Sequence, residues 1–325
     1  MHNPDMYIPD MHEQMQQPEA FKPLIAQAYD TISNYIRQTP VITLATGAFG
    51  VDAHLTLKLE LMQCAGSFKS RGAFNRILQN VVPSAGVIAA SGGNHGAAVA
   101  YAARELGHAA EIFIPTISSS TKVKRLKDYG ANVTVTGRDY IEALEASDRR
   151  AAETNSLVVH AFDQVEVIAG QGTVGLELEN QAPDLDSVLI SVGGGGLIGG
   201  IAAWYQNRCQ VVSVEPERAP TLHQSLAMGK QIDVEVGGIA ADALGSRRVG
   251  NMMLPIAQQY VNQTVLVDEA SIITAQQLLW SELRIAAEPA GVVPIAALIS
   301  GRYQPVPGEK IGVLICGGNV DLSSF

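Results

Sequence analysis

Short β-branched and aliphatic runs alternate with stretches of helical period along most of the chain. The runs predict strands at residues 55–59, 86–90, 110–114, 133–135, 157–160, 188–192, 211–214 and 311–316. Helices are predicted at 69–78, 95–106, 121–129, 140–154, 197–206 and 270–287. In the last, Ile272, Ala275, Leu279, Leu283 and Ala286 recur on one helical face. Strands that are apolar almost throughout, each followed by a helix, predict an α/β fold whose mostly parallel sheet is covered on both faces. The length of 325 residues suits two domains. No repeat and no low-complexity linker separates two halves, so the domains must be intertwined. The expected division is a small unit at 86–160 set within a larger one made of 1–85 and 161–325.

Composition sharpens this. Hydrophobic residues make up 47%, aromatic residues only 6%, and there are 31 glycines, which suits close helix-on-sheet packing. The net charge of −10 argues against nucleic acid or an anionic membrane as a partner. An anionic cofactor would therefore need local donors. Residues 187–205 are uncharged, but six glycines among them predict a strand, a turn and a helix rather than a membrane span. Cys64, Cys209 and Cys316 have neither disulfide-framework nor metal-site spacing, so a reducing cytoplasm is expected. The first twenty residues lack an apolar run, so they are expected to be a loose arm rather than a secretory signal. No further strand–helix module follows residue 316, so no regulatory domain is expected.

Three segments carry candidate chemistry. In Gly66-Ser67-Phe68-Lys69-Ser70-Arg71-Gly72-Ala73 a lysine opens a helix. The positive end of the helix and partial burial both disfavour its ammonium form, leaving a nucleophilic amine. Alone, such a lysine reads more simply as a surface residue. In Ser91-Gly92-Gly93-Asn94-His95-Gly96 the glycines let backbone approach a planar ligand, and Ser91 or Asn94 could cap the next helix. In Ser191-Val192-Gly193-Gly194-Gly195-Gly196-Leu197 four glycines can turn amides inward as an anion nest, a role favoured here because no packing return offsets their entropy. A rival reading uses Gly194, Gly196, Gly199 and Glu215 as the dinucleotide fingerprint of an NAD-binding oxidoreductase, but leaves Lys69 and Asn94 idle.

In this order the three segments resemble the tryptophan-synthase-like fold family of pyridoxal-phosphate enzymes, and within it the serine/threonine dehydratases. The resemblance runs from about Pro23 to the C-terminus. It implies two three-layer domains, pyridoxal 5'-phosphate carried by Lys69 as a Schiff base, and a homodimer. Phe68 would pack beside the ring, Asn94 meet its phenolic oxygen, and Gly193, Gly194, Gly195, Gly196 and Leu197 hold the phosphate. Ser91, Gly92 and His95 would belong to the substrate-carboxylate loop, with Ala240 and Ser246 in a second substrate-side segment. Cys316 would face the pyridine nitrogen, where a thiol cannot keep the ring charged. The implied reaction removes water from a threonine- or serine-type substrate, giving a 2-oxo acid and ammonia, with the freed Lys69 taking the α-proton and the cofactor phosphate the usual acid for the leaving hydroxyl.

Departures matter too. Serine racemases of the family have a serine where this chain has Gly92, so racemisation ranks below elimination. Cysteine-forming synthases usually read T-S-G-N-T-G at the asparagine loop, which disfavours that branch. For a cation, Glu215 and Ala219 match two of the family's ligand positions, but Thr221 replaces an aspartate, so a monovalent ion, a divalent ion or none stays open. Glu288 matches an acid near the family's active site, or is a helix-end charge. Threonine, serine, 3-hydroxyaspartate and phenylserine are not separated by these segments.

Overall fold

The computed structural model describes residues 17–321. The expected N-terminal arm lies outside the described residues as far as residue 16; Pro18–Ala20 form one 3-10 turn. The strands are β1 (Val41–Thr43), β2 (His54–Lys58), β3 (Val87–Ala90), β4 (Ala110–Ile114), β5 (Asn132–Val135), β6 (Leu157–Val158), β7 (Ser187–Ser191), β8 (Gln210–Pro216), β9 (Gln263–Val267) and β10 (Lys310–Leu314). The first helices are α1 (Phe21–Ile32), α2 (Lys69–Leu78), α3 (Asn94–Glu105), α4 (Ser120–Asp128), α5 (Tyr140–Thr154) and α6 (Val165–Gln181). They are followed by α7 (Gly196–Tyr205), α8 (Thr221–Met228), α9 (Ala241–Leu244), α10 (Met253–Tyr260), α11 (Glu269–Leu283) and α12 (Pro289–Ile299).

The strands form two sheets. One has the order β1-β2-β10-β7-β8-β9, parallel except for the β1–β2 pair; the other has the order β5-β4-β3-β6 and is wholly parallel. The second sheet is built from chain between β2 and β7, so the larger sheet is interrupted and resumed. Central strands are apolar because helices cover both faces. β3 and β7 are buried at every position, whereas the edge strand β5 is not. On one face, Phe21 and Ile25 of α1 join Ile168 of α6 and Ile198 of α7; on the other, Leu279 of α11 joins Val293 of α12.

Every strand and helix predicted from the pattern forms, with ends shifted by a few residues. The pattern misses α6, where Gly170, Gly172 and Gly175 read as breakers. They are contact points instead: a Cβ on Gly170 would stand 2.7 Å from the Arg71 carbonyl, and one on Gly172 2.9 Å from that of Gly200. α12 is likewise hidden by Pro294 in its interior.

Candidate active site

Lys69 is the first residue of α2, with Phe68 at the N-cap position. Backbone bonds from the end of β10 fix this start. Ser67 bridges Gly317, Phe68 N–H donates to the Cys316 carbonyl at 3.2 Å, and Gly318 N–H donates to the Gly66 carbonyl at 3.0 Å. The Lys69 ammonium donates to the Ala161 carbonyl at 2.6 Å and lies 5.1 Å from the centre of the Phe68 ring. Burial pulls its pKa down to about 8. No carboxylate pairs with it among the described residues.

Two residues along, the fully buried Arg71 anchors α2. Its guanidinium donates to Glu60 at 2.7 and 2.9 Å and to Glu177 of α6 at 3.1 Å. Lys58 adds a 2.5 Å bond to Glu177, and the Thr39 hydroxyl a 2.6 Å bond to Glu60. Opposite charges are matched, so burial does not leave an ion alone.

Asn94 opens α3 between two partners. Its Nδ2 donates to Glu288 Oε1 at 2.5 Å, and Asn319 Nδ2 donates to its Oδ1 at 2.6 Å. The expected cap is corrected: Gly93 holds the N-cap position without a side-chain bond, because the Asn94 amide is drawn to Glu288. The Ser91 hydroxyl accepts from Gly93 N–H at 3.2 Å instead. The His95 ring donates from Nε2 to the Val159 carbonyl at 2.8 Å. Burial, helped by the Lys69 charge, lowers its pKa to about 3, so the ring is neutral. Gly92 lies near Ser118, whose hydroxyl would be 3.2 Å from a Cβ there.

The tetraglycine turn joins β7 to α7, with Gly195 as N-cap at φ 96°, a left-handed conformation that favours glycine. The amides of Gly193, Gly194, Gly195, Gly196 and Leu197 donate to no acceptor among the described residues. Packing does use these glycines, contrary to expectation. A Cβ on Gly194 would lie 2.3 Å from the Phe162 ring, and one on Gly193 3.0 Å from Leu244 Cα.

Cys316 is buried, and its Sγ lies 3.6 Å from the Ala290 carbonyl, which also accepts from Ser191 Oγ at 2.6 Å. Burial and the nearby Glu288 push the thiol well above its ordinary range. Glu288 precedes α12 and is raised to about 7, chiefly by burial. Ser246 turns away, donating to the Arg248 carbonyl at 2.7 Å, and Ala240 is buried just before α9.

Glu215 is fully buried at the end of β8. Its oxygens accept from Leu222 N–H at 2.7 Å and His223 N–H at 2.8 Å. It therefore binds the start of α8, the plainer role for a strand-end acid, and Thr221 donates to the Ser246 carbonyl at 2.7 Å. No group of three or more His, Cys, Asp or Glu side chains suited to a metal forms among the described residues.

The family model described as pyridoxal-phosphate dependent enzyme matches residues 32–317. The chain belongs to this family. An L-threonine ammonia-lyase of Geobacter sulfurreducens (strain ATCC 51573 / DSM 12127 / PCA) is 37% identical, over 93% of this chain and 76% of that one. Among solved structures, maize serine racemase is 33% identical with a TM-score of 0.88, covering 93% of this chain and 94% of its own. The serine racemase of Dictyostelium discoideum is 34% identical with a TM-score of 0.84, covering 92% and 98%. The two helix-flanked sheets are those of the pyridoxal-phosphate enzymes with the tryptophan synthase β-subunit-like fold. The dinucleotide reading gives way to this membership, and Glu215 has both oxygens committed to amides rather than to a ribose.

Residues without a sequence signal complete the arrangement. Ala161 offers only a carbonyl, and Phe162 fills the space beside Gly194. Asp163 accepts from Asn251 N–H at 2.8 Å and Met252 N–H at 3.1 Å, fixing the approach to α10. Asn319 also donates to the Ala65 carbonyl at 2.9 Å, tying Asn94 to the frame that holds Lys69.

Proposed function

We propose that the protein removes water from a small hydroxy-amino acid, of the threonine or serine type, and releases a 2-oxo acid and ammonia. The observation carrying this reading is the Lys69 amine, largely buried, lowered to about 8 and unpaired with any carboxylate among the described residues. The site's residues suit pyridoxal phosphate. Five amides at residues 193–197 lack acceptors, as an anion nest requires, and the buried Ser67 hydroxyl also lacks a partner among the described residues. When bound, the cofactor supplies an electron sink that acidifies the substrate's α-carbon.

The chain's own residues then divide the work. The amides of Gly193, Gly194, Gly195, Gly196 and Leu197 hold the phosphate, and Phe68 packs beside the ring. Lys69 Nζ would hold the cofactor and would move the α-proton. Asn94, held by Asn319 and Glu288, would meet the ring hydroxyl. The Cys316 thiol, kept neutral by burial, would face the ring nitrogen without adding charge there, which would favour early loss of the β-hydroxyl. Ser91, Gly92 and the backbone of His95 receive the α-carboxylate. Residues 86–160 act as the small unit that closes on the substrate, against a body formed by 1–85 and 161–325. The working form is a homodimer in the cytoplasm, a setting consistent with three buried free cysteines. Among the described residues, no helix is long and apolar enough to cross a membrane.

Racemisation is the second reading. It is favoured by the serine racemase relatives and by the Ser118 hydroxyl beside Gly92. Purified protein supplied with cofactor should release 2-oxo acid from L-threonine or L-serine, and Lys69→Ala should remove that activity. Faster formation of D-serine than of pyruvate from L-serine would favour the second reading instead.

A further inference from the structure

α4 follows a strand of the four-stranded sheet, yet it reaches a loop of the other sheet. Lys122 of α4 pairs with Asp242 of α9. α9 in turn lies against both glycine loops. A Cβ on Gly93 would stand 3.6 Å from the Asp242 carbonyl oxygen, and one on Gly193 3.0 Å from Leu244 Cα. Ser118, just ahead of α4, borders Gly92. The start of the helix therefore sits beside the Asn94 loop and is linked through α9 to the tetraglycine turn.

Arg125 lies three residues beyond Lys122, on the same helical face. Its Nε is buried with no hydrogen-bond acceptor, and its guanidinium has no ion-pair partner among the described residues. Arg125, Lys122 and Asp242 all act on the electrostatics of the buried Glu288. Asp242 is engaged by Lys122, and Glu288 by the Asn94 amide. A buried donor with no acceptor is costly, and a guanidinium fits a carboxylate in two-point contact.

Under the reading above, the phosphate and the α-carboxylate each have their own backbone amides. Arg125 is only part-buried, and an anion reaching it from the site would then come from elsewhere on the substrate. We propose that Arg125 receives a second carboxylate, so the preferred substrate is a dicarboxylic hydroxy-amino acid whose extra acid group sits on the carbon bearing the hydroxyl. The reaction balances without a co-reactant: Cα–H and Cβ–OH break with loss of one water, then one water cleaves the C–N bond. The products are a dicarboxylic 2-oxo acid and ammonia.

For the reaction the proposal rests on the elimination reading; for binding it stands alone, so two measurements separate them. The first compares kcat/KM for 3-hydroxyaspartate and L-threonine on cofactor-loaded protein and its Arg125→Met and Arg125→Lys variants. The second measures binding of L-aspartate and L-alanine to the same proteins by calorimetry. The protein should prefer 3-hydroxyaspartate and L-aspartate. Arg125→Met should lower both preference ratios by about 10- to 100-fold, with Arg125→Lys between. Ratios unaltered by Arg125→Met, through no effect or equal losses on both ligands, overturn the proposal. Should nothing be turned over while aspartate binding still depends on Arg125, elimination fails and the second-carboxylate contact stands. Deamination of threonine without any aspartate preference leaves elimination standing and overturns the second-carboxylate contact.

Discussion

An ammonium group enclosed by protein, with a single carbonyl to bond, loses most of the hydration that stabilises its charge. Lys69 is in that position, and its pKa falls from 10.5 to about 8. The neutral amine, which attacks an aldehyde, therefore predominates above about pH 8 instead of above 10.5. Uptake of pyridoxal phosphate by the apoprotein, followed by absorbance, should accelerate as pH rises from about 6.5, reach half its maximum near 8 and level off by about 9.5. A rate still climbing at about pH 10 would mean an exposed, ordinary lysine. The lysine and its motif are legible in the sequence because side-chain chemistry is written in residue identity. The Ala161 carbonyl is not, since every residue has one. The Gly194 contact with Phe162 is equally hidden, because sequence spacing does not say which distant ring fills a glycine's empty side.

At the scale of elements, the positioning of Lys69 depends on how α2 is anchored. Arg71 is tied to Glu60 just beyond β2 and to Glu177 on α6, so three pieces of chain meet at one buried cation. Replacing Arg71 with Met would leave the buried Glu60 without its cation and Glu177 with Lys58 alone. Such losses cost about 3–5 kcal/mol, and urea denaturation should show stability falling by that amount with the slope little altered. A fall below about 1 kcal/mol would show that the cluster hydrates readily. This cluster is invisible in sequence. Lys58, Glu60 and Glu177 read as ordinary charges, and the helix carrying Glu177 is hidden by glycines that serve close packing with α2 and α7. The strand–turn–helix order around residues 187–205 is legible, because β-branched runs and glycine clusters are local signals.

For the whole molecule, the order of strands is less accessible than their number. β10, the last strand, lies between β2 and β7, a pairing set by burial on both faces rather than by neighbouring residues. That crossing brings Cys316 and Gly317 against Ser67 and Phe68, and places Asn319 on Asn94. Chain from both sheets thus meets around one amine, in a protein whose overall charge of −10 would otherwise repel a phosphate. The account's central claim is that the amine at position 69 carries the cofactor. Borohydride reduction of the cofactor-loaded full chain, followed by peptide mass analysis, tests it most directly. The account predicts a reduced pyridoxyl-phosphate adduct on the peptide containing Lys69 and its loss in Lys69→Ala; an unmodified Lys69 peptide, or an adduct confined to another lysine, would contradict it.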